Sequence, residues 1–334
     1  METGWQQRWV EVKRLTYRGS WLQCLWFGML LVVFPFLVPF LKEFDRIVQM
    51  RKAGDQNYLW PQYSDLQIAV LTGGALYLVK TVSIPLLSAL IEPIIHPRHQ
   101  DKDRKERAEK AAVAFFKSVY FTFAFILGYY VAKDAFFLNW KLGGSGNVDL
   151  MFLNFPYQPT LSFPYIRPYI MIQLGYHLFS LISHLSSKPR NDFMEMLLHH
   201  TMTVLLISLA YFMNYTAMSH LVLFTHDFGD IFCYFSKLFV DTKYKSVAIA
   251  LAPGILFSWG YMRLYVFPVD LIRVAVYENP KYEEIYGITV LGGMLHFLLC
   301  LHVYWYLLFL KMVWRAVRHH EVEDLQHQVH SKSQ

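Results

Sequence analysis

The chain has 334 residues, 55% of them hydrophobic and 17% aromatic against 17% charged, and carries a formal net charge of +6. A water-soluble domain cannot cover that much apolar surface, so the composition excludes an ordinary soluble fold and makes the bilayer the solvent. The positive charge is read by position rather than by sum, and no nucleic-acid partner is expected.

A helix needs roughly 20 residues to cross about 30 Å of hydrocarbon. Eight stretches meet that length: 21–41, 67–92, 111–133, 163–185, 193–213, 217–240, 246–270 and 287–313. The predicted fold is therefore all-α, a polytopic membrane bundle of about eight transmembrane helices. The third and fourth stretches are the weakest, because Lys117 and Arg167 lie inside or at the edge of them. The first apolar run is too long for a cleavable signal and is followed by further spans, so it is expected to stay as an anchor. Cys24, Cys233 and Cys300 all fall within spans, which predicts free, buried thiols.

Lys and Arg cluster in alternate loops. Residues 96–110 hold six, 186–192 two, 241–245 two and 311–318 three, whereas 134–162 hold only Lys141. The positive-inside rule then places the basic loops and, for eight spans, both termini in the cytosol. Because 1–20 and 42–66 each carry four Lys/Arg, a seven-span version with a lumenal N-terminus is the alternative. The dense alternation of signs over 96–110 reads as a solvated helical extension below the membrane.

The fifth and sixth spans are joined by only Asn214, Tyr215 and Thr216, which predicts an antiparallel hairpin pivoting near Tyr215. Residues equally far from the pivot then share a depth. His200 and Asp230 are each fifteen positions away, about 22 Å from the turn at 1.5 Å per residue. Asp227 matches Thr203 in depth. Asp227 and Asp230, at i and i+3, share a helix face, whereas His199 and His200 diverge by about 100°. One imidazole is thus expected to meet the aspartates, with His200 to Asp230 the first contact to look for, while the other points elsewhere.

Four ionisable groups at one depth in a membrane are costly and point to chemistry rather than to helix association. An aspartate can orient an imidazole that acts as base or nucleophile; alternatively His and Asp bind a metal. Adjacent histidines lack the HxxxH spacing of membrane metal sites, so no metal is assigned. Outside the hairpin, Arg263 is a further intramembrane charge suited to a substrate polar group or to an aspartate of the hairpin. Lys117, Lys188 and Arg190 lie near the cytosolic mouth, where they can meet phosphates. His177, His296 and His302 are expected to be interhelical hydrogen-bonding residues. Asn214 opens an Asn-Tyr-Thr sequon, but in so tight a turn it is expected to be unmodified and to serve the hairpin.

Residues 188–239 resemble the Lag motif of ceramide synthases, within the TLC superfamily of membrane proteins. The matching positions are Asp192, Phe193, Met196, His199, His200, Thr203, Asn214, Leu223, His226, Asp227, Asp230 and Lys237. Further on, Trp259, Arg263, Phe267 and Pro268 match the family's Trp, Arg and Phe-Pro spacing. Three positions depart from it: Ala217 and Ser219 stand where Arg and Gly are frequent, and Gly229 where Ser is usual.

The resemblance covers roughly 106–319. It implies a TLC catalytic membrane domain there, preceded by an N-terminal segment with two helices over 1–105 and followed by a tail over 320–334. The implied reaction is N-acylation of a sphingoid long-chain base by a fatty acyl-CoA, in the endoplasmic reticulum membrane, without metal or organic cofactor. Implied partners are the acyl-CoA, the sphingoid base and membrane lipids, with a homodimer or a small accessory subunit as further options. The catalytic candidates are His199, His200, Asp227 and Asp230. Arg263, Trp259, Asn214, His226, Lys237, Lys188, Arg190 and Lys117 are the candidates for substrate binding. Residues 277–287 lie where the family's acyl-chain choice is associated. A non-enzymatic lipid-binding or chaperone protein of the superfamily, and a metal-dependent lipid hydrolase, are the competing readings.

Overall fold

In hydrocarbon every backbone N–H and C=O must be satisfied within its own segment, so apolar runs of this length fold as helices. The computed structural model describes residues 20–54, 59–97, 101–187, 192–278 and 287–319. In chain order these form α1 (Ser20–Ala53), α2 (Leu66–Ile91), α3 (Asp101–Ala132), α4 (Ile166–Ser186), α5 (Phe193–Phe212), α6 (Thr216–Phe239), α7 (Lys245–Trp259) and α8 (Gly287–His319). α7 continues without a break into a π-helical stretch, Gly260–Tyr277, and the described residues contain no strand.

The protein is thus a multi-pass membrane helical bundle. Five stretches are apolar and long enough to cross a bilayer by length and composition: Tyr63–Ile94, Asp103–Ala132, Phe193–Phe212, Lys245–Tyr277 and Gly287–Arg315. α6 carries His220, His226, Asp227, Asp230 and Lys237, and needs no such apolar surface because most of its residues are buried against other helices.

Several helices outrun the apolar windows that predict them. α1 continues to Ala53 through a polar turn in which Gln49 donates to Asp45 at 2.7 Å and Arg46 pairs with Glu43. The 101–110 stretch is helical, as its charge pattern predicts, but it is not solvated all round. Ala108 is fully buried and Arg107 pairs with Asp241 at 2.5 Å. Cys233 is buried as expected; Cys300, in contrast, is exposed on α8. The side chain of Cys24 lies outside the described residues, as do residues 279–286 of the 277–287 connection.

Loop contacts order the two ends of the bundle. At one end, Asp65 accepts from Tyr211 (2.6 Å) and Arg167 (3.2 Å), Asn214 Nδ2 donates to the Pro156 carbonyl (2.6 Å), and Lys141 pairs with the buried Asp270 (2.8 Å). Arg51, at the finish of α1, bonds the Pro61 carbonyl at that same end. At the other end, Ile95 bridges Thr242 and the His96 N–H donates to the Asp241 carbonyl at 2.9 Å. The start of α1 and the finish of α8 therefore lie on the side that holds the basic 96–110 and 241–245 loops, the arrangement that eight crossings demand.

α3, α6, the α7 and π-helical rod, α8, α5 and α4 close into a ring, each packing on the next. α1 and α2 lie outside it, α1 on α8 and α2 on α3 and α4. α2 and α4 touch backbone to backbone: a Cβ at Gly73 would meet the Gly175 carbonyl oxygen at 2.5 Å, and one at Gly175 would meet the Ala69 oxygen at 2.2 Å. Small residues permit such an approach between membrane helices. The π winding begins eight residues before Pro268, which lacks an N–H and crowds the carbonyl one turn back; a wider helix accommodates that ring.

Candidate active site

The ring of helices encloses one cavity to which all six contribute: Phe121 from α3, His177 from α4, His199 and Thr203 from α5, Asp227 and Asp230 from α6, Arg263 from the π-helix and Leu298 from α8. Its charged residues and imidazoles gather toward one side. Toward the Tyr215 turn the lining is mostly apolar, with Leu206, Ile207, Ala210, Met218 and Val222, Ser219 being the polar exception.

Asp230 does not meet His200. Its Oδ2 accepts from Arg263 Nη2 at 2.8 Å, the aspartate pairing foreseen for that arginine. His200 is buried outside the cavity lining, with its ring 5.6 Å from that of His184, and His199 is the imidazole turned toward the aspartates. The expected His200 to Asp230 contact is thereby corrected. Equal depth does not set rotation about the helix axis, and the hairpin opens: α5 packs chiefly on α4 and α8, α6 chiefly on α3, and the cavity fills the space between them. Thr203 and Asp227 do line the same cavity from facing helices.

Asp227, 1% exposed, is held from α4. Its Oδ2 accepts from Gln173 Nε2 and, at 3.4 Å, from Tyr169 Oη, while Gln173 Oε1 accepts from Tyr120 Oη at 2.7 Å. A carboxylate in such a place is tolerable only with donors of this kind. Gln173, Tyr169 and Tyr120 belong to no motif recognisable in the sequence, where His177 reads as an interhelical residue. The available signal was the spacing of Tyr169, Gln173 and His177 at i, i+4 and i+8, a polar stripe on an otherwise apolar helix.

Arg263 is wedged between elements. It donates to the His226 carbonyl at 2.8 Å and lies 3.9 Å from the centre of the Trp259 ring, a cation–π contact. The α6 backbone at Gly229 lies against it, where a Cβ would make ordinary contact with Arg263 Nε at 3.4 Å. Trp259 thus supports Arg263 from outside the cavity lining, and its Nε1 donates to the His302 carbonyl at 3.2 Å.

His226 lines the cavity with both ring nitrogens engaged. Nδ1 sits 2.6 Å from the Val222 carbonyl, which can only accept, so Nδ1 carries the proton. Nε2 is then an acceptor, and His302 Nε2 donates to it at 2.7 Å. This is the interhelical role expected for His302, and so close a pair leaves no space for an ion between the rings. His296 likewise links elements, to Tyr277 Oη at 3.1 Å.

The remaining candidates fall at two places. Lys117 Nζ donates to Tyr234 Oη at 3.2 Å, and Lys237, two turns beyond Asp230 toward the basic end, lies over the same ring at 5.7 Å. Asn214 is fully buried in the hairpin turn with φ 66°, away from the cavity and inaccessible to a glycosyl donor. Lys188 and Arg190 lie outside the described residues.

Comparison with known proteins agrees with this architecture. The family model of the TLC domain matches residues 110–311, which covers α3 to α8, the six helices of the ring. The chain belongs to the TLC-domain family. It is 25% identical over 296 residues to ceramide synthase hyl-2 of Caenorhabditis elegans, a match covering 82% of this chain and 86% of that protein. Human ceramide synthase 4 is 27% identical over 227 residues, 68% of this chain and 55% of that protein. Ceramide synthase LOH2 of Arabidopsis thaliana is 28% identical over 200 residues, 57% of this chain and 67% of that protein.

Proposed function

We propose that the protein is a ceramide synthase, which N-acylates a sphingoid long-chain base with a fatty acyl-CoA to form ceramide or dihydroceramide and CoA. The observation that carries this reading is a single cavity with His199, Asp227, Asp230 and Arg263 at one side and an apolar sleeve at the other. Such a shape suits a reacting carbonyl followed by a hydrocarbon chain. The names of the relatives point to the same reaction.

The chemistry follows from the substrates. A thioester is already activated, so aminolysis needs a neutral amine, a proton acceptor and stabilisation of the charge on the carbonyl oxygen, with no cofactor. His199 faces the space where the carbonyl would lie and takes part in acyl transfer, either as a nucleophile through an acyl-imidazole or by assisting direct attack. Arg263 and the two aspartates set the field of the site. His200, turned away, supports α5 rather than the reacting atoms.

In the endoplasmic reticulum membrane, with the basic loops and the C-terminus cytosolic, the CoA headgroup stays in the cytosol. Lys117 and Lys237 then lie on the side of its phosphates, while the acyl chain extends toward the lumenal turn. The test is direct: purified protein incubated with C16–C26 acyl-CoAs and sphinganine or phytosphingosine should yield N-acyl product by mass spectrometry. Absence of product from every pair would overturn the assignment.

A further inference from the structure

Aminolysis requires a group that takes a proton from the attacking nitrogen, and the bonding around the cavity narrows the choice. Asp230 is engaged by Arg263, and Asp227 by Gln173 and Tyr169. His226 has both ring nitrogens committed, to the Val222 carbonyl and to His302. Of the lining imidazoles, His199 and His177 differ from His226 in that the Nδ1 of each is buried with no hydrogen-bond partner among the described residues.

We propose that His177 of α4 is the catalytic residue that accepts the amine proton, leaving His199 for the acyl group. The inference rests on the acyltransferase reading. Helix register supports it. α4 and α6 run in the same direction, and the Gln173 to Asp227 bond locks their relative rotation. One turn further along each, His177 follows Gln173 by four residues and Asp230 follows Asp227 by three, which brings the imidazole to the level of Asp230. The charged groups that act on the ring at that level are Lys117 and Arg263, both cations.

The step balances. The amine nitrogen bonds to the carbonyl carbon, and the bond from that carbon to CoA sulfur, or to His199 in an acyl-imidazole, breaks. In direct attack the proton lost by the nitrogen passes to His177 and from there to the CoA thiolate, giving amide and free thiol. In the two-step route the CoA thiolate leaves first with the proton that His199 loses on acylation, and the amine proton passes through His177 to the His199 nitrogen released from the acyl group.

The experiment uses full-length protein in lipid vesicles with a C16–C26 acyl-CoA series and sphinganine. His177→Ala should lose at least about 100-fold in turnover, the range of general-base catalysis, with KM for both substrates within about threefold. Free imidazole in the buffer should restore about tenfold or more by occupying the vacated space. His177→Gln, which fills that space, should keep the parental thermal midpoint and stay as inactive as the alanine variant. Turnover of His177→Gln within about threefold of the parent, or an alanine variant that imidazole does not revive, would overturn the assignment. A parent without N-acyl product would overturn the acyltransferase reading itself, whereas an active parent with an active glutamine variant defeats the role of His177 alone.

Discussion

Arg263 reaches Asp230 from a helix outside the hairpin, with Nη2 2.8 Å from Oδ2 and the guanidinium resting on Trp259. The pair closes the ring between α6 and the π-helix at the depth of the reacting groups. Arg263→Met should therefore damage the protein twice. Leaving Asp230 without its partner costs about 3–5 kcal/mol where the site is enclosed, and turnover falls with it. Arg263→Met combined with Asp230→Leu should regain most of the thermal midpoint and none of the activity. Unfolding midpoints in detergent that are equally low in the single and double variants would contradict this account.

Gln173 is predicted to matter as much as a residue of the His and Asp motif. Gln173→Leu strips the Asp227 carboxylate of its main donor and frees Tyr120 Oη, which should cost about 1–3 kcal/mol together with activity. Gln173→Glu adds a like charge beside Asp227 and should be worse than leucine. Thermal unfolding and acyl-transfer assays on both variants check the order, and a glutamate variant as active as the parent would refute it.

The two adjacent histidines should part company in mutants. His199→Ala removes a ring that faces the cavity and should lower turnover by at least about 100-fold. His200→Ala removes a ring packed near His184 and should act mainly through stability, with the larger share of its loss recovered at lower temperature. Comparing both variants across a temperature series decides between them; equal and temperature-independent losses would place His200 at the reacting atoms.

Ala210 and Met218 line the apolar part of the cavity toward the Tyr215 turn. Ala210 follows His199 by eleven residues, about 16 Å along α5. Ala210→Phe should therefore shift acyl preference toward shorter chains while sphinganine KM stays the same. Product profiles from an equimolar mixture of acyl-CoAs provide the measurement, and an unchanged profile would remove the sleeve as a chain-length gauge.

What could be read from sequence follows a physical division. Hydropathy locates helices well, because a span has one length to satisfy, and the Asn214 to Thr216 turn ties two of them at equal depth. Depth brought Thr203 and Asp227 to one cavity. Rotation about each helix axis is another matter: it is set by packing on every neighbour at once, so Asp230 went to Arg263 from the π-helix rather than to His200. The donors to Asp227 were hidden for the same reason, since Gln173 lies more than fifty positions upstream and its meaning depends on how α4 is turned. Hydropathy over 246–270 reads as one ordinary span and does not reveal that the winding widens over Gly260–Tyr277.

The closed ring of six helices also bears on which nucleophile wins. Water and a sphingoid amine compete for the same activated carbonyl, and an open cleft would hydrolyse acyl-CoA faster than the scarce lipid amine arrives. A cavity walled by six helices and largely apolar on its turn side limits the water that can gather at such a carbonyl. On the acyltransferase reading, a substitution that breached the ring should therefore show itself as acyl-CoA cleavage in the absence of base.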